Sequence, residues 1–224
     1  MSKNKSYFDP QSAFTMTPGQ QPLQDLAEIR DLMRNATRFM SLSGLSGVSA
    51  GLIALIGAAG TWYYLLRNGI YDELDAWYGT RVSNEVLIQL VLIALLILVC
   101  AVGAASYFTI RHSRRQQQPI WTYASRQLAL NIFIPLTAGA VFCIELAIVG
   151  AGGMVPGATL LFYGLALLNG SKYTVPEIRY LGMLEIGLGL ISSMFWGWGL
   201  LFWTIGFGGL HIVYGAVMYY RYER

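Results

Sequence analysis

Charged side chains are scarce. Asp, Glu, Lys and Arg make up 12% of the 224 residues, where a soluble domain carries about a quarter. Hydrophobic residues make up 55% and mean hydropathy is +0.49, which excludes an ordinary soluble globule and points to a membrane protein. A net charge of +3 is too small to argue for nucleic acid. Cysteine is nearly absent as well. Cys100 and Cys143 lie in apolar runs, with no C-x-x-C or Cys/His spacing for a metal. They read as small hydrophobes, and a disulfide between them stays open. His112 and His211 are the two histidines. A haem would need more intramembrane ligands than His211, so neither cofactor nor metal is expected. The first 21 residues have no apolar core; with Pro10, Pro18 and several Gln and Ser they read as a disordered tail, not a signal peptide.

What the chain does have is a series of long apolar runs. Residues 22–39 come first, as an amphipathic interfacial or cytoplasmic helix: Leu23, Leu26, Ile29, Met33 and Ala36 recur at helical spacing. Six candidate spans follow, at 40–66, 85–110, 127–150, 155–169, 180–195 and 197–220. The fourth is short, since fifteen residues rise ~22 Å against a core of about 30 Å, and the fifth is short too; a re-entrant pair is the alternative. Residues 70–78 suggest a short surface helix. Placing the N-terminus inside puts Lys3, Lys5, Arg30, Arg34, Arg38, Arg111, Arg114, Arg115, Arg126, Lys172, Arg179, Arg221 and Arg224 on the cytoplasmic side, and only Arg67 and Arg81 outside. The expected fold is an all-α polytopic bundle of six transmembrane helices, N-in and C-in: a tail (1–21), an amphipathic helix (22–39), a membrane domain (40–220) and a cytoplasmic tail (221–224).

Polar residues inside the spans are few and therefore informative. Glu185 and His211 each lie thirteen residues from Trp198, in the joint Trp196-Gly197-Trp198-Gly199. In an antiparallel hairpin they sit at the same depth, roughly 20 Å from the joint. Glu185 shares a face with Gly182, Gly189 and Ser192; His211 shares one with Thr204, Gly208 and Gly215. Small-residue faces pack against other helices, so both groups should point into the bundle and pair, as a neutral hydrogen bond or an ion pair. Asn131 and Glu145 share a stripe with Pro135, which should kink its helix; they are the further candidates for an intramembrane polar site. Asn169, Lys172, Tyr173, Glu177 and Arg179 form a cytoplasmic loop cluster. Gly47-x-x-x-Gly51, in a first span rich in Gly, Ala and Ser, invites close approach of another helix, within the bundle or in a homo-oligomer.

Ser41-Leu-Ser-Gly-Leu-Ser-Gly47, Asn169-Gly-Ser-Lys-Tyr-Thr174 with Glu177-Ile-Arg179, and Gly208-Gly-Leu-His-Ile-Val-Tyr-Gly215 together resemble an uncharacterised family of bacterial multi-pass membrane proteins, found mainly in the Bacteroidetes group. The likeness covers roughly 25–220. It implies a bacterial inner-membrane location and supplies no catalytic residues. Three functions are expected, in order: transport or sensing of a proton, ion or small solute around Glu185 and His211; a non-catalytic scaffold or regulatory subunit; and an intramembrane serine hydrolase. The third rests on Gly44-Leu-Ser-Gly47, which resembles the rhomboid-protease motif, and on Gly47-Val-Ser-Ala-Gly51, which resembles G-x-S-x-G. Beside the lipid bilayer, the expected partners are a second copy through the first helix and a cytoplasmic protein.

Overall fold

The computed structural model describes residues 43–69, 83–117, 121–195 and 197–224. The expected tail, the amphipathic helix at 22–39 and the surface helix at 70–78 lie outside these residues. The described part is helical, with no strand among the described residues. The helices are α1 (Gly44–Arg67), α2 (Asn84–Arg115), α3 (Tyr123–Ile148), α4 (Gly152–Tyr173), α5 (Glu177–Met194) and α6 (Gly199–Glu223).

Five of them, α1, α2, α3, α4 and α6, are long and apolar enough to cross a membrane. The fourth segment reaches this length through single 3-10 turns at Gly152–Met154 and Ser171–Tyr173. The fifth falls short by charge, not length: α5 has 18 residues but includes Glu177, Arg179 and Glu185. The basic cluster Arg111–Arg115, beyond the expected end of the second span at 110, is the last turn of α2, where cations face the negative end of the helix dipole. The last helical turns continue through Glu223. α3 runs unbroken through Pro135.

Two antiparallel seams hold the bundle together, and both are built from glycines seven residues apart. In the first, Gly44 and Gly51 of α1 lie opposite Gly215 and Gly208 of α6; a Cβ on Gly215 would sit 2.5 Å from the Val48 nitrogen and 2.6 Å from the Gly44 oxygen. In the second, Gly157 and Gly164 of α4 lie opposite Gly189 and Gly182 of α5; a Cβ on Gly164 would sit 2.6 Å from the Gly182 oxygen. Between apolar helices in lipid no hydrophobic force acts, so such backbone contact, with its dispersion energy, is what joins them. The Gly47–Gly51 face of α1 is thereby covered by α6 of the same chain, not left open for a second copy. α2 packs on α1, with Ile97 seated over Gly57, and α3 packs on α4, with Phe162 seated over Gly139. Among the described residues, none of the most apolar window of α2 is fully buried, so beyond its α1 contact that stretch is largely exposed.

One end of the bundle is tied by Glu223. Ser43 makes no side-chain cap on α1, and its first turn holds no acidic residue. Instead the Gly44 N–H donates to the Glu223 carboxylate, whose Oε2 is also 3.7 Å from Nδ1 of His112. The C-terminal end of α6 thus supplies the missing cap and the negative charge favoured at a helix N-terminus. Glu223→Ala should lower stability by about 0.5–2 kcal/mol, seen as a reduced Tm in detergent; an unchanged Tm would show that the cap contributes nothing.

Candidate functional site

α5 and α6 meet at a turn that requires Gly197, whose φ of +80° is left-handed. From there the chain runs back, and α6 departs from regular α-geometry over Thr204–Leu210, which forms a π-helical segment. Such segments widen the helix and free backbone groups for side chains. Here the carbonyl of Gly206 takes Nδ1 of His211 at 3.1 Å. A carbonyl only accepts, so Nδ1 carries a proton and the tautomer is fixed.

The pattern Gly–three–ionisable–four–Gly is the same on both helices: Gly182, Glu185, Gly189 on α5 and Gly208, His211, Gly215 on α6. The seams place these glycines against α4 and α1, and the two ionisable groups face each other. Oε1 of Glu185 is 3.4 Å from Nδ1 of His211. Glu185 is 0% exposed and His211 6% exposed. Neither oxygen of Glu185 has a hydrogen-bond partner; the Nδ1 proton goes to Gly206 while the carboxylate lies within ion-pair distance. Room for the carboxyl comes from Gly206, where a Cβ would lie 2.5 Å from Oε2 of Glu185 and 2.4 Å from Leu160.

The other ring nitrogen of His211, Nε2, is 2.7 Å from the hydroxyl of Tyr163 on α4. When the ring is neutral, Nε2 accepts from Tyr163; when it is an imidazolium, Nε2 donates. Tyr163 and Phe207 pack on the ring, with Tyr163–His211 centroids 5.3 Å apart and Phe207 stacked at 5.8 Å, and Trp203 packs on Phe207 in turn. Tyr163 carried no signal of its own in the sequence, being one aromatic among many in apolar runs.

The remaining candidates separate. Asn131 is half-buried; its amide donates to the Gln127 carbonyl at 2.8 Å, and its own carbonyl accepts from the Asn169 side chain at 3.1 Å. It therefore bonds to the α4–α5 junction cluster, not to Glu185. Glu145 is exposed on α3, since the buried face of that helix is the one carrying Gly139. In the junction cluster, Lys172 reaches Oδ1 of Asn169 at 3.5 Å. Glu177 Oε1 lies 3.0 Å from Arg221 and accepts from the Tyr222 hydroxyl at 2.8 Å. Tyr173 is half-buried and Arg179 exposed. Ser46 donates to the Ser43 carbonyl, and both nitrogens of His211 are engaged elsewhere, so no Ser–His pair forms. Cys100 and Cys143 are free thiols. Among the described residues no group of three His, Cys, Asp or Glu could hold a metal.

A shallow apolar groove on α6, lined by Ile212, Val213, Ala216 and Val217, does not reach Glu185. No family model, curated protein or solved structure matches this chain. What stands on geometry alone is a membrane-embedded helical protein, with a carboxyl group and an imidazole enclosed side by side between α4, α5 and α6.

Proposed function

We propose that this protein senses or moves a proton at Glu185 and His211. The observation that carries the reading is the full burial of Glu185, with both oxygens unpartnered and Oε1 3.4 Å from His211. A lone charge at mid-membrane costs ~2.5–3.5 kcal/mol on insertion scales. Glu185 therefore either keeps its proton or holds a charged His211 beside it, and the balance between these forms answers to pH. A solute needs a cavity, whereas a proton needs only groups that exchange it; the close packing of Leu160 and Gly206 on Glu185 supports the proton.

In this reading α5 is a sixth span, because 18 residues rise ~27 Å against a core of about 30 Å. Both ends of the chain face the cytoplasm, supported by the bias of Lys and Arg, and the bacterial inner membrane follows from the motif resemblance. The second reading is a non-catalytic scaffold in which Glu185 and His211 lock α5 to α6; the close packing around the pair favours it.

Infrared difference spectra across pH, on the full protein in lipid, separate the two. A protonated-carboxyl band that changes with pH and vanishes in Glu185→Gln is expected. A spectrum with no pH-dependent carboxyl band would leave the helix lock and remove the proton.

A further inference from the structure

We infer that the α5–α6 hairpin opens at its free end, and that Glu177, with Arg221 and Tyr222, is the latch that closes this way to Glu185. What the opening serves rests on the proton reading above; the opening itself stands on how the helices are fastened.

The two seams fasten the helices in pairs. α5 lies on α4 with backbone against backbone: a Cβ on Gly182 would stand 2.8 Å from the Gly164 oxygen, and one on Gly189 2.7 Å from the Gly157 oxygen. α6 lies on α1 in the same way, where a Cβ on Gly215 would stand 2.6 Å from the Gly44 oxygen. Neither pair can part without losing the close contact that joins it. Between the pairs, side chains make the contacts. Tyr163 and Glu185 meet His211, Leu160 and Glu185 fill the space over Gly206, and Leu181 and Met218 pack with Leu167, Val175 and Ile178. Side chains repack by changing rotamer, so the boundary between the pairs is where this bundle can part.

The two ends of that boundary differ. At one end the chain itself joins α5 to α6 through the turn at Gly197. There Gly199 is seated on α4, where a Cβ would lie 3.1 Å from Pro156 and 3.3 Å from the Gly153 oxygen. That end is a hinge. At the other end no chain segment joins α5 to α6 directly. Glu177, the first residue of α5, accepts there from the Tyr222 hydroxyl at 2.8 Å, and its Oε1 lies 3.0 Å from Nη1 of Arg221. This latch stands ~12 Å along α5 from Glu185, with the Leu181–Met218 layer between them. It is built to release. The Arg221 side chain is 64% exposed, and a pair so open to water is weak. Oε2 of Glu177 is buried with no hydrogen-bond partner in the protein, so closure leaves an acceptor unsatisfied that opening returns to solvent.

The test labels cysteines on either side of Glu185 with a water-soluble maleimide, on full-length protein in nanodiscs and in a Cys100→Ser, Cys143→Ser background. Leu181→Cys lies in the layer under the latch, and Ser192→Cys lies beyond Glu185 on the hinge side; both positions are buried. Arg221→Glu turns attraction to Glu177 into repulsion. It should speed labelling of Leu181→Cys about five- to tenfold and leave that of Ser192→Cys unchanged. Adding Glu177→Arg reverses the pair and should bring labelling back down to the starting rate. An unchanged rate at Leu181→Cys overturns the latch, and so does a reversed pair that labels as fast as Arg221→Glu alone. Equal acceleration at both positions overturns the hinge, because the whole bundle has then loosened. Deuterium entry into Glu185, read from the infrared shift of its carboxyl band in D2O, should quicken with Arg221→Glu in parallel. A band that exchanges at the same rate with and without Arg221→Glu overturns the latch as the way to Glu185. An absent band beside the expected labelling overturns the proton site and leaves the opening standing.

Discussion

His211→Ala should destabilise the protein by about 3–5 kcal/mol, the range found when one partner of a buried pair is removed. The substitution leaves Glu185 fully enclosed 3.4 Å from nothing that can balance it, and it also strips the Tyr163 hydroxyl of its acceptor. Glu185→Gln should cost less, because the amide keeps the shape and sheds the charge. The double variant is decisive. If the two groups interact, it should cost less than the two singles together by about 0.5–3 kcal/mol. Reversible unfolding in mixed micelles measures all three. Additivity to within about 0.3–0.5 kcal/mol would show that the groups are neighbours without being partners.

Gly189→Leu should also destabilise the protein, while Gly187→Leu, two residues earlier on the same helix, should be nearly neutral. A Cβ on Gly189 would stand 2.7 Å from the Gly157 oxygen and 2.7 Å from the Leu161 nitrogen. These are backbone atoms, which cannot swing aside, so α4 and α5 must separate. Overpacking of this kind costs about 1–3 kcal/mol and occasionally more. A Cβ on Gly187 meets nothing within 4 Å, and leucine improves on glycine in a helix by up to about 1 kcal/mol. Thermal unfolding in detergent should therefore separate the pair clearly. Equal melting temperatures would show that the α4–α5 seam has slack.

That Glu185 and His211 lie level was readable from two ordinary quantities, the rise of an α-helix and the position of a tight Trp-Gly-Trp-Gly joint. The glycine faces were readable too, because small residues at helical spacing have few uses in lipid other than packing. Which helix each face receives was not: nothing in Gly47-x-x-x-Gly51 specifies α6 of the same chain over a second copy. Glu145 and Asn131 show the limit of stripe reasoning, since periodicity identifies a face without saying whether it turns inward. Glu145 faces out, and Asn131 serves Asn169. Tyr163 comes to His211 from a third helix, and contacts between distant segments leave no local trace. The π-helical segment that presents the Gly206 carbonyl is equally silent, because TIGFGGL reads as ordinary apolar helix.

The contact between Gly44 and Glu223 spans 179 residues of chain, which sets a timetable for biogenesis. At ~5–20 residues per second the ribosome needs roughly 10–35 s to travel that distance. Throughout that interval the first glycine face enters the bilayer with its intended neighbour still unmade. A bare small-residue surface attracts any passing helix, including the same segment of a sister nascent chain on the same polysome. Sheltering of early segments until late ones emerge would therefore favour the native pairing over a swapped one. Overexpression that outruns such sheltering should yield swapped assemblies before it yields unfolded protein.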